Sequence, residues 1–201
     1  MTGRRASEVV DVILATRIIG IVRASSAEDA VADARALAAA GIAAIEVSLV
    51  TPDAVAAISE LARSGILVGV GTALEPADVE AAADAGARFV VSPNLDERVI
   101  QTSVAMDLAS VPGAGTVSEA VRARRAGADL VKLFPATMFG PRGVAAVLAS
   151  LPELPLVPTG GVGLGDIRPY LESGARAVGM GAALVRAARD DPRALEGIVA
   201  D

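Results

Sequence analysis

The sequence predicts an α/β fold, a single (β/α)8 TIM barrel with an extra N-terminal helix, and three observations lead there. Short apolar runs alternate with longer Ala-rich stretches of helical period, the pattern of βα units and a parallel sheet. Eight such runs occur. A small residue followed by glycine recurs ahead of every second one.

Ala6 to Thr16 reads as an amphipathic helix that precedes the first strand. The strands then begin near Ile18 (IIGIVRA), Ala43 (AAIEVSL), Ile66 (ILVGVGT), Arg88 (RFVVSP), Asp107 (DLASVPG), Leu130 (LVKLFP), Leu156 (LVPTGG) and Ala177 (AVGMGA). The recurring pairs are Ala40-Gly41, Ala85-Gly86, Ala126-Gly127 and Ser173-Gly174, their glycines 45, 41 and 47 residues apart. Each interval is two βα units, and glycine suits the helix C-terminal turn that reverses the chain. Five residues beyond these glycines stand Glu46, Val91, Lys132 and Gly179. Alternate strands of such a barrel share a layer of side chains, so the four are expected to lie level, with an amine and a carboxylate inside one barrel.

All 201 residues are expected to form one domain, 1–201, with a core of small aliphatic side chains: 53% of residues are hydrophobic and 2% aromatic. The chain has no Cys, His or Trp, which removes disulfides, zinc fingers, thiol nucleophiles and His-based triads. Neither a metal nor a cofactor is expected. A net charge of -6 and a pI near 4.8 argue against nucleic acid as a partner. The N-terminal Met-Thr-Gly-Arg-Arg leads into no unbroken apolar segment, and no run approaches the roughly 20 residues that cross a bilayer, so a soluble, cytoplasmic protein is expected with no membrane partner.

Lys132 is the only lysine, against 17 arginines, and lies in the apolar run Leu130-Val131-Lys132-Leu133-Phe134. Arg stays protonated, whereas a desolvated ammonium can lose its proton and present a free amine to a carbonyl, which imine formation requires. The bland alternative is a lysine that snorkels to the surface or pairs with a carboxylate. Glu46 interrupts another apolar run, where an unpaired carboxylate is costly, so it needs a partner or a task. It can shuttle protons beside the amine, or form a buried ion pair with Lys132 or Arg23.

Arg23 ends the first strand, where its planar fork can hold a carboxylate or phosphate, or lie on the surface. Thr72, after Gly71, and Thr116 can offer hydroxyls to a carboxylate; Thr116 with Glu119 also reads as a capping box. Thr159-Gly160-Gly161 follows the seventh strand and Gly179-Met180-Gly181-Ala182 belongs to the eighth, where loops of such barrels hold phosphate on backbone N–H groups.

Over nearly its whole length the chain resembles the 2-keto-3-deoxy-6-phosphogluconate (KDPG) and 4-hydroxy-2-oxoglutarate (KHG) aldolase family. The resemblance is carried by IVRA (21–24), IEVSLVTPDA (45–54), GVGT (69–72), FVVSPNLD (89–96), PGAGTVSEA (112–120), VKLFPATMFGP (131–141), PTGGV (158–162) and VGMGAALV (178–185). It implies a homotrimeric class I aldolase without a metal, Lys132 in the Schiff-base position and Glu46 in the acid/base position. It also implies Arg23, Thr72, Pro93, Phe134 and Thr159 around the keto acid, with Gly160, Gly161, Gly181 and Ala182 around the phosphate.

Two departures stand out. Many phosphogluconate-cleaving members carry Arg where this chain has Val50, and Ser where it has Ala182. Asn94 and FPATMFGP also resemble relatives that cleave the phosphogalactonate isomer. The expected activity is cleavage of KDPG, KHG or both into pyruvate and glyceraldehyde 3-phosphate or glyoxylate, with the phosphogalactonate as an alternative. Two other classes remain open: a phosphosugar isomerase or synthase that uses Lys132 only as a cation, and a non-catalytic trimeric scaffold.

Overall fold

The computed structural model describes residues 5–191 and Leu195. Helices and strands alternate from the start: α1 (Arg5–Thr16), β1 (Ile18–Val22), α2 (Ala27–Ala39), β2 (Ala44–Ser48), α3 (Ala54–Arg63), β3 (Val68–Gly71), α4 (Pro76–Asp84), β4 (Phe89–Val91) and α5 (Glu97–Ala105). The second half runs β5 (Ala109–Val111), β6 (Gly113–Ala114), α6 (Val117–Arg125), β7 (Val131–Leu133), α7 (Gly140–Ser150), β8 (Leu156–Pro158), α8 (Ile167–Glu172), β9 (Val178–Met180) and α9 (Ala182–Asp190).

All ladder pairings are parallel, in the orders β5-β4-β3-β2-β1-β9 and β6-β7-β8. A parallel bridge from Thr159, just after β8, to Gly179, in the middle of β9, links the two groups of strands. The result is an α/β fold whose parallel sheet curls around an inner face. The expected fifth strand is split by Pro112 into β5, paired with β4, and β6, paired with β7. Proline has no N–H to give the ladder, but its carbonyl still accepts from the Lys132 N–H at 2.9 Å.

Successive strand residues enter two different cores. Ile45 and Val47 of β2, and Val131 and Leu133 of β7, pack outward against helices. Ala44, Phe89, Val91, Ala109, Leu130, Val157 and Ala177 turn inward and meet Ala6, Val9 and Ile13 of α1, which covers one end of the inner face. Phe89 fits because Gly69 opposite has no side chain; a Cβ there would stand 2.5 Å from the nearest ring atom. The α1 N-terminus is held from a distance, as the Asp107 carboxylate accepts from the N–H of Arg5 at 3.0 Å and of Ala6 at 3.4 Å.

The glycine repeat has a direct cause. Gly41, Gly86, Gly127 and Gly174 have φ of 88°, 96°, 107° and 98°, the left-handed backbone that ends a helix and that other residues rarely adopt. Among the described residues no helix is long and apolar enough to cross a membrane.

Candidate active site

Strand alternation decides where Glu46 and Lys132 point. Glu46 stands two residues from inward Ala44 and between outward Ile45 and Val47; Lys132 stands two from inward Leu130 and between outward Val131 and Leu133. Side chains two apart on a strand share a face, so both heads enter the interior beyond the inner apolar layer, towards the carboxyl ends of the strands. Glu46 is 2% exposed and Lys132 7%.

Burial governs the charges of this pair. It raises the Glu46 carboxyl from 4.5 to about 7, against the pull of the Lys132 ammonium and the Arg23 guanidinium. It also lowers the Lys132 amine; Glu46 opposes that shift and Arg23 adds to it. Glu46 Oε2 is buried with no hydrogen-bond partner, so no direct bond satisfies it. The buried ion pair considered from the sequence is therefore replaced by two groups coupled through space. The Lys132 Nζ lies 5.0 Å from the centroid of the Phe134 ring.

The other candidates surround this pair. Arg23 follows β1 and is exposed, near enough to act electrostatically on both heads. Thr72, at φ 64°, places its hydroxyl 2.7 Å from the Ser48 hydroxyl. Gly113 lacks a side chain where the Pro93 carbonyl approaches β6, which brings the half-buried Pro93 close to the strand paired with Lys132. Thr159 is 4% exposed, donates to the Val157 carbonyl at 3.1 Å, and occupies the space a Gly179 side chain would need.

Gly160 and Gly161 have φ of 90° and 77°, and a Cβ on Gly160 would meet the Phe134 ring at 2.8 Å. This turn is packed against the loop that carries Phe134. Gly181 caps α9, accepting from Leu184 N at 2.9 Å, and exposed Ala182 opens the helix. The N–H groups of Ala182 and Ala183 precede that first bond and stand at the helix end where an anion is favoured. Thr116 is committed elsewhere: it accepts from Glu119 N at 3.2 Å, and Glu119 in turn accepts from Gly115 N at 2.9 Å. It caps α6.

Among the described residues no group of three or more Asp or Glu side chains could hold a metal ion. Two polar residues of this region escaped the sequence reading, Ser48 and Thr51, both buried. The signal for Ser48 was present, because a residue two beyond Glu46 on a strand must share its face.

A buried amine and a buried carboxylate on the inner face of parallel strands define a protein suited to carbonyl chemistry. A family model for KDPG and KHG aldolase matches residues 9–198. The chain is 38% identical over 173 residues to a "Probable 2-dehydro-3-deoxy-6-phosphogalactonate aldolase" of Rhizobium meliloti, covering 84% of this chain and 82% of the relative. It is 35% identical over 158 residues to the 2-dehydro-3-deoxy-phosphogluconate aldolase of Pseudomonas aeruginosa, covering 77% and 72%. A solved KDPG aldolase from Legionella pneumophila, with pyruvate captured at low pH as a covalent carbinolamine intermediate, matches with a TM-score of 0.80 at 27% identity, covering 99% and 98%. The chain belongs to the KDPG and KHG aldolase family. It is an aldolase, a carbon–carbon lyase.

Proposed function

We propose that the protein is a class I aldolase that cleaves a 2-keto-3-deoxy-6-phospho sugar acid into pyruvate and glyceraldehyde 3-phosphate through an imine on Lys132. The observation that carries this is the pair itself: the chain's one lysine, buried and pushed towards the free amine, coupled to a buried carboxylate whose Oε2 has no hydrogen-bond partner. Neutral Nζ adds to the C2 carbonyl, and loss of water gives a protonated imine. The Glu46 carboxylate takes the C4 hydroxyl proton, the C3–C4 bond breaks, and its electrons pass to the imine nitrogen to form an enamine. The aldehyde departs. Protonation at C3 and hydrolysis then release pyruvate and restore Lys132.

Arg23, Thr72, Pro93, Phe134 and Thr159 would hold the keto acid, and Gly160, Gly161, Gly181 and Ala182 the phosphate. The gluconate- and galactonate-derived substrates differ in configuration at C4, the carbon whose hydroxyl Glu46 deprotonates. KDPG is the first reading, and KHG, which yields glyoxylate, remains within the same chemistry. The phosphogalactonate is the second, favoured by the Rhizobium meliloti relative and by Val50, which is uncharged and exposed.

The same reading includes one domain built as a closed (β/α)8 barrel with α1 as the extra helix. Pairings step from Ile21 through Glu46 and Gly69 to β4 and β5, and in the other direction from Ile19 through Gly179 and Thr159 to β7 and β6. With β5 and β6 taken as one strand, a circuit returns to β1 about eight residues away, the stagger of such a barrel. That stagger would set Glu46, Val91, Lys132 and Gly179 on one level. A homotrimer in the cytoplasm completes the picture.

Incubation with pyruvate and borohydride tests the chemistry. One reduced adduct on Lys132 is expected by peptide mass analysis, and its absence would overturn the imine. Cleavage rates for the two phospho sugar acids and for KHG then rank the substrates, and light scattering tests the trimer.

A further inference from the structure

We infer that Ser48 is a positioning residue, which aims the Thr72 hydroxyl at the keto acid without touching it. Ser48 is the last residue of β2, wholly buried, on the face that carries Glu46. Its hydroxyl lies 2.7 Å from that of Thr72, and either oxygen can donate. Thr72 needs such a partner, because a β-branched residue at φ 64° keeps that backbone only where its surroundings enforce it. The enforcement comes from β2: Ser48 is in register with Gly71, and Leu49 N donates to the Gly71 carbonyl at 2.8 Å.

The following turn clasps the other neighbour. Thr51, 2% exposed, accepts from Ala24 N at 3.1 Å, beside Arg23. The segment 48–51 thus fixes the loop bearing Thr72 on one side of Glu46 and the loop bearing Arg23 on the other. With Ser48 donating to Thr72 Oγ1, the Thr72 hydroxyl keeps its own proton for a carboxylate acceptor. Ser48→Ala leaves that hydroxyl free to turn away.

This inference rests on the reading of Thr72 as a keto acid contact. The experiment is a double-mutant cycle of Ser48→Ala and Thr72→Val, with Ser48→Thr as the variant that restores a hydroxyl, each assayed for KM, kcat and borohydride trapping of pyruvate. Thr72→Val keeps the branched shape. Expected is a KM for the keto acid raised about threefold to tenfold by Ser48→Ala, the range of one neutral hydrogen bond. Unchanged kcat, no further effect in the Thr72→Val background and recovery in Ser48→Thr complete the expectation. Effects that add across the cycle, or a fall in kcat at constant KM, would overturn it. If the wild-type protein traps no pyruvate on Lys132, the imine reading fails first; trapping together with an additive cycle removes only the role of Ser48.

Discussion

Glu46 occupies the space that a side chain on Gly71 would fill: a Cβ there would stand 2.6 Å from Oε1 and 2.9 Å from the carboxyl carbon. The glycine is therefore part of how the carboxylate reaches its place. In Gly71→Ala the obstructed atoms are the far end of a side chain, so the fold should adjust at little cost while the carboxylate shifts. Displacing a reacting group by about 1 Å can lower a rate on the order of 100-fold. Gly71→Ala is expected to lower kcat by about that factor with Tm almost unchanged, as steady-state kinetics and thermal melts would show. Equal losses in both would mean that the glycine serves only packing.

The pH dependence of cleavage should report Glu46. The base must be ionised to accept the C4 proton, and burial places its titration at about 7. The logarithm of kcat/KM is therefore expected to rise with pH to a bend near 7. Glu46→Gln should lose that bend along with most of the activity. A wild-type profile without it would remove Glu46 as the proton acceptor.

How far the site was legible follows from what each feature depends on. The repeat read from Gly41, Gly86, Gly127 and Gly174 marks a backbone requirement, and a requirement of one residue's own φ is written in that residue. The fixed offset of Glu46 and Lys132 from two of those glycines likewise pointed to the interior, and in the structure both sit between outward neighbours, on the inner face. The break at Pro112 was visible as a proline, yet its effect depends on which neighbours β5 and β6 pair with. Asp107 bonding to Arg5 and Ala6, about a hundred residues away, is set by the whole fold and has no local signature. Thr116 shows the limit from the other side, since capping and ligand binding ask for the same hydroxyl until the helix is seen.

Folding stability should carry the same carboxyl. Glu46 titrates at 4.5 ordinarily and at about 7 in the folded protein, so below 4.5 it is protonated in both states and costs nothing. Between those values the unfolded chain releases the proton that the folded chain retains, and stability falls as pH rises; above 7 the loss is constant. The shift corresponds to about 3 kcal/mol. Glu46→Gln should therefore melt close to the wild type at pH 4.5 and clearly above it at pH 8. A Tm difference that stays flat across this range would show that the carboxyl is solvated in solution.

The last prediction concerns α1, whose inner residues close one end of the core. Its first N–H groups have no partners within the helix, and two of them bond to Asp107, which stands just before β5 and itself has φ 56°. Asp107→Ala removes the acceptor and puts a poorer residue at a left-handed position, so a loss of about 1 kcal/mol is expected from the cap alone. In a chain of this size that lowers Tm by about 2 to 4 °C. Asn tolerates left-handed backbone and caps helices, so Asp107→Asn should recover most of the loss. Because Lys132 and Glu46 lie beyond the inner apolar layer, towards the other ends of the strands, kcat should stay constant in both variants at temperatures below the melt. A kcat that falls with Asp107→Ala and returns with Asp107→Asn would instead mean that the seating of α1 sets the spacing of the Lys132–Glu46 pair.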